Sequence, residues 1–134
     1  MRDLIAGLCR QAGFQLPQDR IQALADYEAA LLEKNKVMNL TAIRDPEAAA
    51  RLHILDALEL LRVTDLEGRT LLDVGTGGGV PGVVLKLAVP ELELTLLDAT
   101  AKKLDWLRGL LPTLGVSAEF INHFLLFHIV RELN

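Results

Sequence analysis

With 134 residues, 51% of them apolar and 24% charged, the chain has the size and profile of one globular domain with a sizeable core. Its lone cysteine, Cys9, excludes an internal disulfide framework and fits a reducing, cytoplasmic setting, and no uninterrupted apolar run approaches the ~18 residues of a membrane span. Fourteen Lys and Arg against eighteen Asp and Glu leave a net charge of −4, which excludes a protein that holds nucleic acid by bulk charge; Lys102 and Lys103 form the one obvious basic pair.

The start, "MRDLIAGLCRQAGFQLPQDR", mixes acids and glutamines early and lacks the apolar core and cleavage site of a signal peptide, so it reads as part of the fold. Leu4, Ile5 and Leu8 share a helical face that Gly13 ends; Ile21, Leu24, Leu31 and Leu32 recur at helical spacing after Pro17. "VMNLTAIRDPE" breaks the period. Asp45 before Pro46 then starts a third helix, a capping side chain followed by a residue with no amide hydrogen to lose. That helix is expected to reach about Arg62, with His53 and Asp56 on one face and Leu52, Leu55 and Leu58 toward the core. Residues 1–66 thus read as a helical cap.

From Thr70 short apolar runs alternate with helical ones: "TLLDV", "PGVVLKLAV", "LELTLLD", "AKKLDWLRGLL", "AEFI". The alternation predicts a βαβαβ unit over 67–121, an α/β, Rossmann-like fold with about three parallel strands. Trp106, spaced with Leu110, is expected in the core.

The stretch "LLDVGTGGGVPGVVLKL" places five of the ten glycines between Gly75 and Gly82, where the first strand of a doubly wound sheet turns into its first helix and ligands bind. Gly75 and Gly77 permit dihedrals that a Cβ would oppose. Counted from Gly75, the third glycine of a dinucleotide fingerprint would fall at Val80; a shifted match at Gly77, Gly79 and Gly82 would enclose Pro81. The D-x-G-x-G-x-G pattern is instead associated with S-adenosylmethionine. Asp98, at the end of "LTLLD", can accept ribose hydroxyls of either cofactor or cap the following helix. Thr100 can line the adenosine or cap that helix. A nicotinamide oxidoreductase is therefore a further, less favoured reading.

Together "NLTAIRDPE", "HILDALELL" and "LLDVGTGGGVPGVVLKLAVPELELTLLDATAKKLDWLR" resemble the bacterial small-subunit ribosomal RNA guanine-N7 methyltransferase family, also called glucose-inhibited division protein B, over roughly residues 1–118. The resemblance implies methyl transfer from S-adenosylmethionine to N7 of a guanine in the 530 loop of 16S ribosomal RNA. It implies cofactor contacts at Gly75, Val80, Asp98, Ala99 and Thr100, with Asp73, Thr76 and Gly77 shaping the loop. Asn39, His53, Lys102 and Lys103 are candidates for RNA contact; each has a structural alternative as loop cap, helix partner or solvated face. Guanine N7 carries an available lone pair, so no general base is required, no catalytic side chain is assigned and no metal is expected.

The ending departs from this pattern. Where the family suggests an Arg-Ala-Glu-like segment, the chain reads "NHFLLFH", and the family continues to seven strands. Truncation or an altered gene end is the expectation, with half the cofactor crevice wall missing and the first strand's edge unpaired. The apolar tail, residues 122–134, is expected to form a helix from about Asn122 that packs on the sheet or across a homodimer interface. The alternative function is a non-catalytic module that self-associates or binds a nucleoside.

Overall fold

The computed structural model describes residues 1–124. α1 (Arg2–Ala12) buries Ile5, Leu8 and Cys9 and ends at Gly13, whose φ of 84° lets its N–H reach back to the Arg10 carbonyl. α2 (Gln18–Met38) follows Pro17 and buries Ile21, Leu24, Tyr27, Glu28 and Leu31 along one side. It ends at Asn39, whose left-handed φ of 56° turns the chain into the loop before the next helix.

The Asp45 start is as expected: its side chain accepts the Ala48 N–H at 2.9 Å, and Pro46 occupies the first turn. The helix it begins is not uniform. α3 (Pro46–Ala49) passes into a π-helical stretch (Ala50–Leu55), then α4 (Asp56–Leu58) and a 3₁₀ turn (Glu59–Arg62). The wider π turn shifts the buried face. Ala50, Ile54 and Leu58 point inward, whereas Leu52, expected in the core, is 51% exposed.

β1 (Thr70–Val74), β2 (Glu93–Asp98) and β3 (Glu119–Asn122) form a parallel sheet in the order β1-β2-β3, with Val74 opposite Leu97 and Leu97 opposite Ile121. α5 (Gly82–Ala88) and α6 (Ala101–Leu110) make the two crossovers. Right-handed crossovers running in one direction put both helices on one face. The burial alternation of β1 agrees: Asp73 is buried between the exposed Leu72 and Val74.

The main core lies between that covered face and the helical cap, joining Leu24, Leu31, Ile54 and Leu58 to Val83, Val84, Leu87, Leu96, Leu104 and Leu107. Trp106 is half-buried against this core rather than inside it. Among the described residues β1 pairs only with β2, as the expected free edge requires. Asn122, expected to begin a helix, instead completes β3, and its Nδ2 donates to the Asp98 carbonyl at 3.0 Å. The remainder of the expected tail helix lies outside the described residues. No helix among the described residues is long and apolar enough to cross a membrane.

Candidate functional site at the glycine loop

The loop from β1 to α5 is fastened from below by Asp73. Its Oδ2 accepts the Thr76 hydroxyl at 2.8 Å and the Gly82 N–H at 2.9 Å, so one buried carboxylate spans the loop and secures its first and last turns. A Cβ on Gly82 would sit 2.7 Å from that oxygen. Thr76 is buried and faces the carboxylate, away from solvent. The backbone N–H groups of Gly75 and Thr76 both donate to the Leu97 carbonyl, at 2.8 and 3.1 Å, which ties the loop to β2.

Gly75 and Gly77 have φ of 73° and 57°, and a Cβ on either would meet nothing within 4 Å. These two positions need glycine for conformation and border open space, as a ligand-facing turn requires. Gly78 needs it for contact: a Cβ there would lie 2.7 Å from Leu31 Cδ1 of α2.

Asp98 stands at the end of β2, 8% exposed. One oxygen accepts the Gly77 N–H and the other the Thr100 N–H, both at 2.8 Å. The carboxylate thus joins the two strand-end loops to one another, and each oxygen keeps a further lone-pair direction for an outside donor. Thr100 is the N-cap residue of α6, with no side-chain capping bond, and with Ala99 it is exposed beside Asp98. Val80 is half-buried against the core and precedes Pro81 through a cis peptide bond.

The structure brings Asp73, Gly75, Thr76, Gly77, Val80, Asp98, Ala99 and Thr100 together at the carboxyl end of β1 and β2. Lys102 and Lys103 follow on the first turn of α6, exposed and half-buried. Asn39 is exposed at the end of α2. His53 is elsewhere and inside: Nδ1 lies 2.5 Å from Glu28 Oε1 and Nε2 lies 3.0 Å from Thr41 Oγ1. Its expected partner on the same face, Asp56, is exposed, because the π-helical stretch separates the two directions.

Sequence reasoning missed the link between cap and loop. The Tyr27 hydroxyl donates to the Gly78 carbonyl at 2.7 Å from a fully buried position. Burial, with the negative charges of Glu28 and Asp73 nearby, pushes its phenol well above the ordinary value near 10.0. The available signal was a lone tyrosine in register with Leu24 and Leu31, followed by a glutamate on the same apolar side.

The profile of a family described as GidB, rRNA small subunit methyltransferase G, matches residues 20–124. The chain is 46% identical over 99 residues to ribosomal RNA small subunit methyltransferase G of Methylobacillus flagellatus, covering 74% of this chain and 47% of that protein. It is 41% identical over 109 residues to the protein of that name from Alkaliphilus metalliredigens, covering 81% and 46%. For the Acinetobacter baumannii protein the identity is 42% over 105 residues, covering 78% and 49%. The chain therefore spans about half the length of the curated relatives it matches.

Proposed function

Because the chain belongs to the GidB family of rRNA small subunit methyltransferases, we propose that its glycine loop holds S-adenosylmethionine, in the service of methyl transfer to N7 of a guanine in the 530 loop of 16S ribosomal RNA in the cytoplasm. The observation that carries this reading is the joint placement of Gly75, Gly77 and Asp98. Two left-handed glycines border open space, and a carboxylate at the next strand tip holds the loop while keeping acceptor capacity.

The residues present fit the donor. Backbone at Gly75 and Gly77 would lie against its amino-acid portion, Asp98 would accept ribose hydroxyls, and Ala99 and Thr100 would edge the adenine. When bound, the donor would supply an activated methyl group: the N7 lone pair would form the new N–CH3 bond as the S–CH3 bond breaks, with S-adenosylhomocysteine as the leaving group. What this chain must contribute is alignment and exclusion of water, so the absence of a dedicated base among these residues suits the reaction. Asp73 acts one layer below, through Thr76 and Gly82, by holding the loop's shape.

A calorimetric titration with S-adenosylhomocysteine tests the reading. Saturable heat that disappears in Gly77→Val supports it. No saturable heat at millimolar ligand with the folded protein, or tighter binding of NADH, overturns it. Methyl transfer to undermodified small subunits tests turnover, which we propose the isolated chain does not complete.

A second reading rests on β1. Its edge is unpaired among the described residues, and Leu72 and Val74 are 50% and 56% exposed on the uncovered face. Apolar side chains on a free edge suit a non-catalytic module that self-associates. Sedimentation across a range of concentrations separates a dimer from a monomer.

A further inference from the structure

The chain between α2 and α3 is held from below by three buried polar side chains, Glu28, Asn35 and His53. Asn35 Oδ1 accepts the N–H groups of Leu40 and Thr41, at 2.7 and 2.9 Å, and so fixes the backbone of both. Thr41 Oγ1 accepts the Ile43 N–H at 3.1 Å and lies 3.0 Å from His53 Nε2. The other ring nitrogen, Nδ1, lies 2.5 Å from Glu28 Oε1. Thr41 is therefore pinned twice, through its backbone by Asn35 and through its hydroxyl by a chain that runs back to Glu28 on α2.

This segment abuts the glycine loop. Leu40 Cβ stands 3.4 Å from where a Cβ on Gly78 would lie, beside Leu31 Cδ1 at 2.7 Å, while the Gly78 carbonyl takes the Tyr27 hydroxyl. The next residue back, Gly77, gives its N–H to Asp98. A displacement of Leu40 is thus passed to Gly78 by contact and to Gly77 through the backbone. A buried charged pair gains little net stability over apolar residues of the same volume, so what Glu28 and His53 contribute is a fixed geometry.

We propose that His53, held by Glu28, is a positioning residue for the glycine loop: through Thr41 it seats Leu40 against Gly78 and presets the turn that the methyl donor would meet. A side chain only 6% exposed and engaged at both ring nitrogens is placed for this role rather than for a surface contact with RNA. The functional meaning rests on the donor reading of the loop, whereas the coupling from His53 to Gly78 exists with or without a ligand.

The test combines amide hydrogen exchange, followed by nuclear magnetic resonance on isotope-labelled full chain, with calorimetric titration of S-adenosylhomocysteine. Thr41→Val removes the hydroxyl, and Thr41→Ser keeps it. The double variant Glu28→Leu with His53→Ala removes the pair together, so that no buried charge is stranded. In Thr41→Val and in the double variant, the Gly77 and Gly79 amides are expected to exchange about tenfold faster, measured against the core amides of Leu87 and Leu107. S-adenosylhomocysteine is expected to bind about tenfold more weakly to both, with Thr41→Ser returning both readouts toward wild type. A merely structural pair would slow or speed loop and core amides alike. Thr41→Val leaves Glu28 and His53 paired, and so decides the matter even where the double variant does not fold. Loop amides that exchange as in wild type, or faster exchange with undiminished affinity, overturn the proposal. Wild-type protein that binds no S-adenosylhomocysteine overturns the donor reading instead, and the exchange rates alone then decide whether His53 holds the loop.

Discussion

The hydroxyl of Tyr27, in the middle of α2, donates to the carbonyl of Gly78 at 2.7 Å, across 51 residues of sequence. Both groups are buried, so the bond fixes the helical cap to the glycine loop at a point that water does not reach. Leu31, one turn along α2, closes the same seam: it packs where a side chain on Gly78 would stand. The cap is thereby part of the candidate donor site's foundation.

Removing the hydroxyl in Tyr27→Phe leaves the Gly78 carbonyl without its donor in a dry position. The expected cost is about 1–3 kcal/mol of stability, read as a lower urea midpoint at unchanged m-value. Weaker binding of S-adenosylhomocysteine in the folded variant would show that the bond also sets the loop.

Alkaline titration supplies a second test of the same residue. Burial raises the folded-state phenol well above 10.0, so between the unfolded and folded values the folded protein holds a proton that the unfolded chain has lost. The stabilisation is complete below about pH 10 and falls above it by up to about 1.4 kcal/mol per pH unit. The chain has one tyrosine, so phenolate absorbance reports Tyr27 alone. Absorbance is expected to rise only with unfolding; a rise near pH 10 in the folded protein would contradict the buried assignment.

Glu28 and His53 form a buried pair whose carboxylate leaves Oε2 without a hydrogen bond. His53→Ala strands the whole carboxylate and is expected to cost about 3–5 kcal/mol. Adding Glu28→Leu should recover most of this, because the stranded charge, rather than the lost contact, dominates the penalty. Thermal or urea unfolding of the two singles and the double variant gives the coupling, and additive effects would count against a paired role.

Gly82→Ala places a methyl group 2.7 Å from Asp73 Oδ2, within the span that holds both ends of the loop. The carboxylate must shift, loosening Thr76 as well, and the expected loss is about 1–3 kcal/mol with reduced ligand affinity. Wild-type stability in Gly82→Ala would show that Asp73 has another position available.

Much of the scaffold was legible because its signals are local. Asp45-Pro46 marks a helix start through the capping oxygen and the missing amide hydrogen, and the structure realises both. The turn from period two to helical period around "LLDVGTGGGVPGVVLKL" locates β1, the loop and α5. Leu52 and Asp56 were misplaced for a physical reason: a π-helical stretch changes the angle per residue, and nothing in the composition of "ARLHIL" announces it. The role of Glu28 was equally hidden, because a glutamate on an apolar face is costly until a histidine from another helix is brought beside it.

What the sequence determined by itself was the order of elements, the glycine-bearing turn and the acid at the next strand tip, since each depends on residues within a few positions of one another. Which glycine serves which purpose was decided only by tertiary structure. Gly75 and Gly77 border open space, while Gly78 and Gly82 make room for Leu31 and Asp73, because those neighbours arrive by packing of a distant helix and closure of the loop. The same holds for the cap: its periodicity predicts helices, but only the packed structure joins Tyr27 to Gly78, since a hydrogen bond between distant segments exists only after the fold has excluded water around it.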